Sequence, residues 1–371
     1  MKKLVSLLMA VCMLMTIVSF AAAEGDWRVA MITDYGDITD QAFNQTTYEA
    51  AKAFCEANGV DFNYYKPTGD TTAERVAMVD KAIEDGYNVI VMPGYAFGET
   101  IAEEQDLYPD VKFIALDVGE GDLGGFTLPS NVYCAVYQEE LCGYMAGYAA
   151  VKLGYKHLGF LGGMAVPAVI RYGFGFVQGA DAAAVELGIA GDVTVEYVYG
   201  NQFFGDADIT SAMDTWYQTL GVEVVFACGG GIYTSAAEAA VKVDGGKVIG
   251  VDVDQSALID TAYGAEGLTV TSAMKGLAAT VNTLLTATII DGTFDATYGG
   301  QMLTLGLVSG DDPTANYVQL PATTVWGDGF AETDYNALVA AMFDGTVTVS
   351  NAIDALPETI TVTVNELGTV K

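Results

Sequence analysis

The chain has 371 residues, with 48 Asp or Glu against 15 Lys or Arg and one His, so its formal net charge is −33. A nucleic-acid partner is not expected, because binding to a phosphate backbone depends on neutralisation by Lys and Arg. The length predicts two domains, and a hydrophobic content of 51% argues against long disordered stretches.

The first 23 residues have the pattern of an export signal. Lys2 and Lys3 precede an uncharged apolar run over residues 4–20, and three alanines follow at 21–23. A single membrane anchor is the alternative, but a run of about 17 residues is at the short limit for a span. Cys12 lacks the small residue that precedes a lipidated cysteine, which makes a lipid anchor doubtful. We expect an exported protein, periplasmic or at the cell surface.

The cysteines after the signal leave two states open. These residues are Cys55, Cys134, Cys142 and Cys228. An even number in an exported protein permits disulfides, but sequence alone assigns no pair, and buried free thiols are the preferred interpretation. No Cys/His spacing indicates zinc, and we interpret the acidic residues at 34, 37 and 40 as a solvated loop. No metal and no cofactor are expected.

From residue 29 onward, short apolar runs alternate with helical patterns. Strands are predicted at 29–35, 62–66, 88–94, 112–119, 157–163, 193–200, 222–229, 247–254 and 268–272. The stretches 41–58, 71–85 and 167–187 have helical patterns. Strands separated by helices of this length form βαβ units, so the fold class is α/β with parallel sheets flanked by helices.

The number of strands is too large for one sheet, which predicts two lobes. We assign residues 24–130 and about 255–290 to an N-terminal lobe, and 131–250 and about 291–371 to a C-terminal lobe. The tail after 291 is predicted to be β-structure that ties the lobes together. Ligands of open parallel sheets bind beyond the carboxyl ends of the strands, which places the site in the interlobe cleft.

Polar and aromatic side chains follow several of the predicted strands. The candidates are Asp34, Phe43, Asn44, Asp117, Phe203, Phe204, Gly229, Gly230, Asp252 and Lys275. A carboxylate can accept two hydrogen bonds from a diol, an amide can both donate and accept, and an aromatic ring can stack on a base. The alternative interpretation makes Asp34 a helix cap and Phe43 a core residue.

The segment 33–45 resembles the opening motif of the basic-membrane-protein family, the purine-nucleoside-receptor-like substrate-binding proteins of ABC transporters. Segments 86–90, 108–113, 143–147, 159–163 and 251–255 are similar to further family motifs, in the same order. The resemblance covers roughly residues 29–290. It implies a type I periplasmic-binding-protein fold with three hinge crossovers, which closes on a nucleoside in partnership with an ABC permease, and a monomer is expected.

The resemblance also implies roles for individual residues. Phe43 and Phe204 would enclose the base, Phe204 being preferred to Phe203 because an Asp, here Asp206, lies two residues beyond it. The polar groups implied for the base are Asn44 and Asp117, and those for the ribose are Asp34, Asp252 and Lys275, with the backbone of Gly230 nearby. Tyr35 departs from the family, which usually has a small residue there, and the tail matches no family feature.

Catalysis is not expected. The glycine-rich segment 229–234 lacks the Lys and Ser/Thr of a phosphate-binding loop, no G-x-S-x-G motif occurs, and His157 alone is poor material for a triad. Two alternatives remain. The same fold could bind a sugar or another small polar ligand, or it could serve as a ligand sensor without transport.

Overall fold

The computed structural model describes residues 27–371, so the predicted export signal and Cys12 lie outside the described residues. The strands are β1 (Arg28–Ile32), β2 (Asp61–Tyr65), β3 (Val89–Pro93), β4 (Lys112–Leu116), β5 (Val132–Tyr137), β6 (His157–Gly162), β7 (Thr194–Tyr199), β8 (Val224–Cys228), β9 (Lys247–Asp252), β10 (Thr269–Lys275), β11 (Gln301–Leu305), β12 (Val318–Gln319) and β13 (Thr363–Thr369). Each of the nine predicted strands overlaps one of these.

The helices alternate with the strands along most of the chain. They are α1 (Phe43–Asn58), α2 (Thr72–Glu84), α3 (Phe97–Glu104), α4 (Glu139–Lys152), α5 (Pro167–Leu187), α6 (Ala207–Thr215), α7 (Tyr233–Ala240), α8 (Ser256–Tyr263), α9 (Leu277–Leu285), α10 (Phe294–Thr297) and α11 (Glu332–Phe343). Short π-helical turns extend α6 over Trp216–Leu220 and α9 over Thr286–Ile290. Within residues 27–371, no helix is both long and apolar enough to cross a membrane.

Two sheets form the two lobes. The first has the order β11-β5-β4-β3-β1-β2 and is parallel throughout. The second has the order β12-β10-β9-β8-β6-β7-β13 and is parallel except for β12. Central strands such as β3 and β8 are buried along their whole length, which explains their continuous apolar sequences. The predicted α/β class with two parallel sheets is confirmed.

The strand pairing differs from the predicted lobe boundaries at three places. β5 pairs with β4 in the first sheet although it lies after residue 131, and β10 pairs with β9 in the second sheet although it lies within 255–290. β11, in the tail, returns to the first sheet. The chain passes from one lobe to the other without interrupting the alternation of strands and helices. Since a βαβ repeat has the same sequence pattern in either sheet, periodicity alone cannot locate the crossings.

Three crossover segments connect the lobes, and backbone hydrogen bonds link each crossover to a neighbouring one. They lie between β5 and α4, between β10 and α9, and between β11 and β12. The amide of Gln138 donates to Leu305 O at 2.9 Å, and the amide of Gly276 donates to Tyr317 O at 2.7 Å. The Tyr317 amide in turn donates to Gly306 O at 2.9 Å. This is the three-crossover hinge that the resemblance implied.

Helices α4 and α5 pack with their backbones in direct contact. Gly143 and Gly147 on α4 face the carbonyls of Tyr172 and Phe176, where any Cβ would overlap the neighbouring backbone. The glycines of the 143–147 motif therefore permit the close approach of α5. This packing fixes the N-terminal turns of both helices, and those of α5 line the interlobe cleft.

All four described cysteines are buried free thiols, which decides between the two states left open by the sequence. Burial raises the pKa of the Cys55 and Cys134 thiols to about 12. They are therefore protonated at neutral pH and behave as small core residues.

The C-terminal segment is attached to the second lobe through Asp181 on α5. Its carboxylate accepts hydrogen bonds from the amides of Ile360, Thr361 and Val362, directly before β13 pairs with β7. Burial would raise the pKa of Asp181, but these hydrogen bonds outweigh it and hold the pKa below its usual range. The sequence analysis found no role for this segment.

We predict that Asp181→Ala lowers the free energy of unfolding by about 1–3 kcal/mol, because three backbone amides, that of Val362 buried and the other two partly buried, lose their acceptor. A carboxyl with a lowered pKa stabilises the fold above its unfolded pKa of about 3.9, and this contribution is lost as the pH falls through the lowered value. Denaturant titration at pH 7 and pH 3 should therefore show a large difference from wild type at pH 7 and a smaller one at pH 3. An equal difference at both would contradict the assignment.

Candidate ligand-binding cleft

A cavity of about 1170 Å³ lies between the lobes at the carboxyl ends of the strands. Its lining includes all eight residues predicted for the site: Asp34, Phe43, Asn44, Asp117, Phe204, Gly230, Asp252 and Lys275. The rule that ligands bind beyond the strand ends thus locates the cavity correctly.

Four residues of the lining have a left-handed backbone conformation that residues other than glycine rarely adopt. Gln41, Asp117, Asn201 and Asp252 have φ angles of 59°, 60°, 59° and 65°, and no other non-glycine residue in 27–371 has a positive φ. Each of these conformations costs about 1–3 kcal/mol and persists only where the surroundings compensate for it. Strain concentrated in one cavity indicates a functional site.

Lys275 lies at the centre of a buried group of carboxylates. Its Nζ is 2.6 Å from Asp117 Oδ2, 3.4 Å from Glu139 Oε1 and 3.6 Å from Asp252 Oδ1. These side chains are at most 12% exposed. The same ammonium lies 4.9 Å from the centre of the Phe43 ring, within range of a cation–π contact.

The electrostatics of this group follow from burial and mutual charge. Burial raises the pKa of Asp252 to about 7, although Lys275 acts in the opposite direction. Burial also raises the pKa of Glu139, against the influence of Lys275 and Arg171. For Lys275, burial alone would lower the pKa, but the three carboxylates raise it above its usual value. The lysine is therefore charged at all physiological pH values.

Glu139 and Arg171 belong to this network and were missed by the sequence analysis. Arg171 Nε donates to Glu139 Oε2 at 2.7 Å, so Glu139 bridges the arginine and Lys275. Glu139 opens α4 next to a hinge crossover, and Arg171 lies in the first turns of α5. The available signal was the acidic pair at 139–140, which begins an otherwise mainly apolar helix.

Asp34 organises the loop after β1 and does not cap the next helix. Its Oδ1 accepts hydrogen bonds from the amides of Tyr35 and Gly36, both at 2.7 Å. Asp40 does the capping, because it accepts hydrogen bonds from the amides of Ala42, Asn44 and Gln45. The alternative interpretation of Asp34 is therefore wrong.

Two buried acceptor atoms in the lining have no hydrogen-bond partner among residues 27–371. They are Oδ1 of Asn44 and Oδ1 of Asp117. Buried polar atoms are nearly always paired, since leaving one unpaired costs about 1–3 kcal/mol. Both residues belong to the cavity wall, although the two oxygens themselves have almost no accessible surface.

The two aromatic candidates at the turn after β7 differ in their surroundings. Phe204 lines the cavity but is 61% exposed. The Phe203 ring stacks on Tyr35, with 6.4 Å between ring centres, and lies against Gly163 and Gly229. Asp206, on which the preference for Phe204 rests, accepts hydrogen bonds from Asp208 N and Ile209 N at the start of α6. The choice of Phe204 therefore stays a prediction.

Side chains of the two lobes meet across the cleft. Tyr35 Oη contacts Met164 Sδ at 3.3 Å, and Gln255 Nε2 donates to Gln41 O at 3.2 Å. Tyr233 Oη also donates to Gln41 Oε1. Tyr35, which departs from the family pattern, thus contributes to the interlobe contact. The lobes are in a closed arrangement.

A family profile described as "ABC transporter substrate-binding protein PnrA-like" (Bmp) matches residues 27–310. The chain belongs to this family. The match covers both sheets up to β11, together with every predicted site residue.

Curated relatives agree with the family assignment, and a solved structure shares the fold. The chain is 25% identical to "ABC transporter nucleoside-binding protein BmpA" of Lactococcus lactis, over 63% of this chain and 66% of the relative. It is 26% identical to "Basic membrane protein B" of Borreliella burgdorferi, over 76% and 79%. It thus spans just under two thirds of the Lactococcus relative. A solute-binding protein of an ABC transporter system from Conexibacter woesei shares the fold, with a TM-score of 0.66, 24% identity and coverage of 88% and 99%.

The cleft of this Bmp-family protein is strongly acidic. Its lining contains the carboxylates Asp34, Asp37, Asp40, Asp117, Glu120, Asp122 and Asp252, against the cations Arg171 and Lys275. Within the described part of the chain, no group of three or more His, Cys, Asp or Glu side chains is placed to hold a metal ion. The uneven charge disfavours anionic ligands, because like charges in a cleft of low dielectric repel strongly.

We predict that Lys275→Met lowers the free energy of unfolding at pH 8 by about 3–5 kcal/mol, because Asp117 and Asp252 lose their cation and Glu139 keeps only Arg171. The loss should be smaller at pH 5, since protonation of the buried carboxylates removes their mutual repulsion. Denaturant titrations at the two pH values measure both effects.

Lys242→Met is the matched control for this variant. Lys242 pairs with Asp214 on the surface, and exposed pairs contribute about 0–1 kcal/mol. Equal losses for the two variants would show that Lys275 does not hold the carboxylates together.

Proposed function

We propose that this protein is the extracytoplasmic binding component of an ABC importer and that it binds a nucleoside, with purines preferred. The observation that carries the proposal is the pair of unpartnered acceptors, Asn44 Oδ1 and Asp117 Oδ1, beside the Phe43 ring in a closed cleft. A planar base with N–H groups on its edge matches this combination of stacking surface and acceptors. The nucleoside-binding relative in Lactococcus supports the same ligand class.

In this proposal the base stacks on Phe43, and Phe204 closes over its other face. Phe204 is exposed in the structure, so covering it with a base would remove apolar surface from water. Asn44 presents its amide oxygen to the edge of the base, while its Nδ2 donates to Asp34 and Asp40. Asp117 accepts from a ring N–H.

The ribose is assigned to the charged part of the cleft. Asp34 and Asp252 accept hydrogen bonds from the sugar hydroxyls, Lys275 donates to a hydroxyl oxygen, and the backbone at Gly230 borders the sugar. Gly230 has a φ of 51°, and a Cβ there would lie 2.9 Å from Phe203 O. Glycine therefore lets the backbone at 230 adopt this conformation and approach the backbone of Phe203 closely.

Export, partnership with a permease and a monomeric state belong to the same proposal. Closure of two lobes around one molecule presents a composite surface to the permease. A sugar or another small polar ligand is the alternative, because carboxylates and aromatic rings also bind sugars.

We predict that a thermal-shift screen of residues 24–371 gives the largest shifts with purine nucleosides. A ligand present at 1,000 times its dissociation constant stabilises a protein by about 4.1 kcal/mol. The panel should contain nucleosides, free bases, nucleotides and sugars, and the protein should be unfolded and refolded first to remove bound ligand. Shifts with sugars alone would replace the nucleoside proposal by its alternative.

The acidic lining leads to a prediction about phosphorylated ligands. A nucleoside monophosphate should bind at least about 100-fold more weakly than its nucleoside, because its phosphate adds charge to a cleft with an excess of carboxylates. Isothermal titration of both ligands measures the ratio. Equal affinities would show that the phosphate lies outside the acidic region.

We predict that Phe43→Ala weakens nucleoside binding by about 1–3 kcal/mol through loss of stacking. Phe126→Ala is the matched control, because Phe126 is 55% exposed and does not line the cavity. The affinities of both variants are measured by titration calorimetry. An unchanged affinity for Phe43→Ala would remove the stacking assignment while leaving the fold untouched.

A further inference from the structure

The cavity lining includes residues beyond the part of the chain that the family profile matches. The match ends at residue 310, yet Asn351 and Ile353 line the cavity. We propose that residues 351–359, here called the flap, form part of the binding site and slow the release of the ligand. The proposal rests on the proposed nucleoside-binding function and adds a specificity-determining segment to it.

Both ends of the flap are fixed to the same helix. At the first end, the Gln178 side chain accepts a hydrogen bond from Ser350 N at 2.9 Å and donates one to Ser350 O at 3.0 Å. At the second end, the Asp181 carboxylate accepts hydrogen bonds from the amides of residues 360–362. Gln178 and Asp181 are three residues apart, which is about 4.5 Å along a helix axis. The flap is therefore a loop whose two ends are anchored close together on α5.

The helix that anchors the flap also forms part of the cavity wall. Pro167, Arg171 and Tyr172, in the first turns of α5, line the cavity together with Asn351 and Ile353. The flap thus extends the wall that α5 begins, and the N-terminal lobe contributes Glu120 and Asp122 to the same cavity.

A third attachment links the end of the chain to the aromatic turn after β7. Lys371 Nζ donates to Gln202 Oε1 at 3.2 Å and forms an ion pair with Asp206. These two residues flank Phe203 and Phe204. The hydrogen bonds that hold residues 350–371 go to the C-terminal lobe, so the flap and the aromatic turn move with that lobe when the cleft opens.

Ile353 is the flap residue best placed to act on a ligand. It is an apolar side chain, 38% exposed, in the wall of a cavity, so a bound ligand would cover surface that water now reaches. Contacts of this kind are lost on dissociation, and their removal acts mainly on the dissociation rate.

The test compares two identical substitutions in the same tail. Ile353→Ala removes the side chain that lines the cavity, whereas Ile360→Ala removes one that is 83% exposed and does not line it. With inosine as the probe, we expect Ile353→Ala to raise the dissociation rate about three- to tenfold and Ile360→Ala to leave it unchanged. Stopped-flow fluorescence measures the rates, and the melting temperatures of the ligand-free variants should match wild type.

A second variant tests the anchoring of the flap. Gln178→Ala removes both hydrogen bonds to Ser350 without altering a residue of the lining, and it should also accelerate dissociation. A wild-type rate for Ile353→Ala, with inosine bound normally, would overturn the flap proposal alone. If wild-type protein binds neither inosine nor any other nucleoside of the thermal-shift panel, the nucleoside proposal fails. The same variants are then compared with the ligand that gives the largest thermal shift, and an unchanged rate there overturns the flap proposal as well.

Discussion

The site depends on one buried ammonium group. Lys275 lies within 2.6–3.6 Å of carboxylate oxygens of Asp117, Glu139 and Asp252, and a buried carboxylate without a neighbouring cation carries a large desolvation penalty. The three carboxylates come from different parts of the fold: Asp117 follows β4 of the first sheet, Glu139 opens α4 after a crossover, and Asp252 ends β9 of the second sheet. A single charge therefore joins both lobes and the hinge.

In the proposed function, this arrangement couples ligand binding to the relative position of the lobes. Lys275 lies at the end of β10, directly before the crossover in which the Gly276 amide donates a hydrogen bond to Tyr317 O. The backbone of Lys275 is therefore part of the hinge. Rotation about the hinge would change the distance between Asp117 and Asp252, and one ammonium cannot stay close to both in an open cleft. A ligand with hydroxyl groups between these carboxylates supplies additional donors at the point where opening would otherwise leave a carboxylate uncompensated.

The sequence revealed the strands and many residues of the cavity lining because both follow from local patterns. Continuous apolar runs mark buried strands, and polar residues directly after them mark the cleft, which is how Asp34, Asp117 and Asp252 were found. The lobe boundaries could not be found in this way, because crossing from one sheet to the other leaves the βαβ pattern unchanged. Arg171 and Glu139 were missed because their partnership depends on the contact of α4 with α5. The flap was missed because its position depends on Gln178 and Asp181, far away in the chain.

The strained backbone of the cleft is explained by the same charge network. Asp117 and Asp252 each leave their strand in a left-handed conformation that local preference disfavours, and each then reaches Lys275. If either strand continued regularly, its carboxylate would point in a different direction. The ion pair with Lys275 therefore requires the left-handed conformation and also compensates for its cost. Gln41 and Asn201 show the same strain where the lobes meet and beside the aromatic turn. Local backbone preferences are thus violated at four positions of one cavity, and each of these residues lines the cavity with a polar side chain.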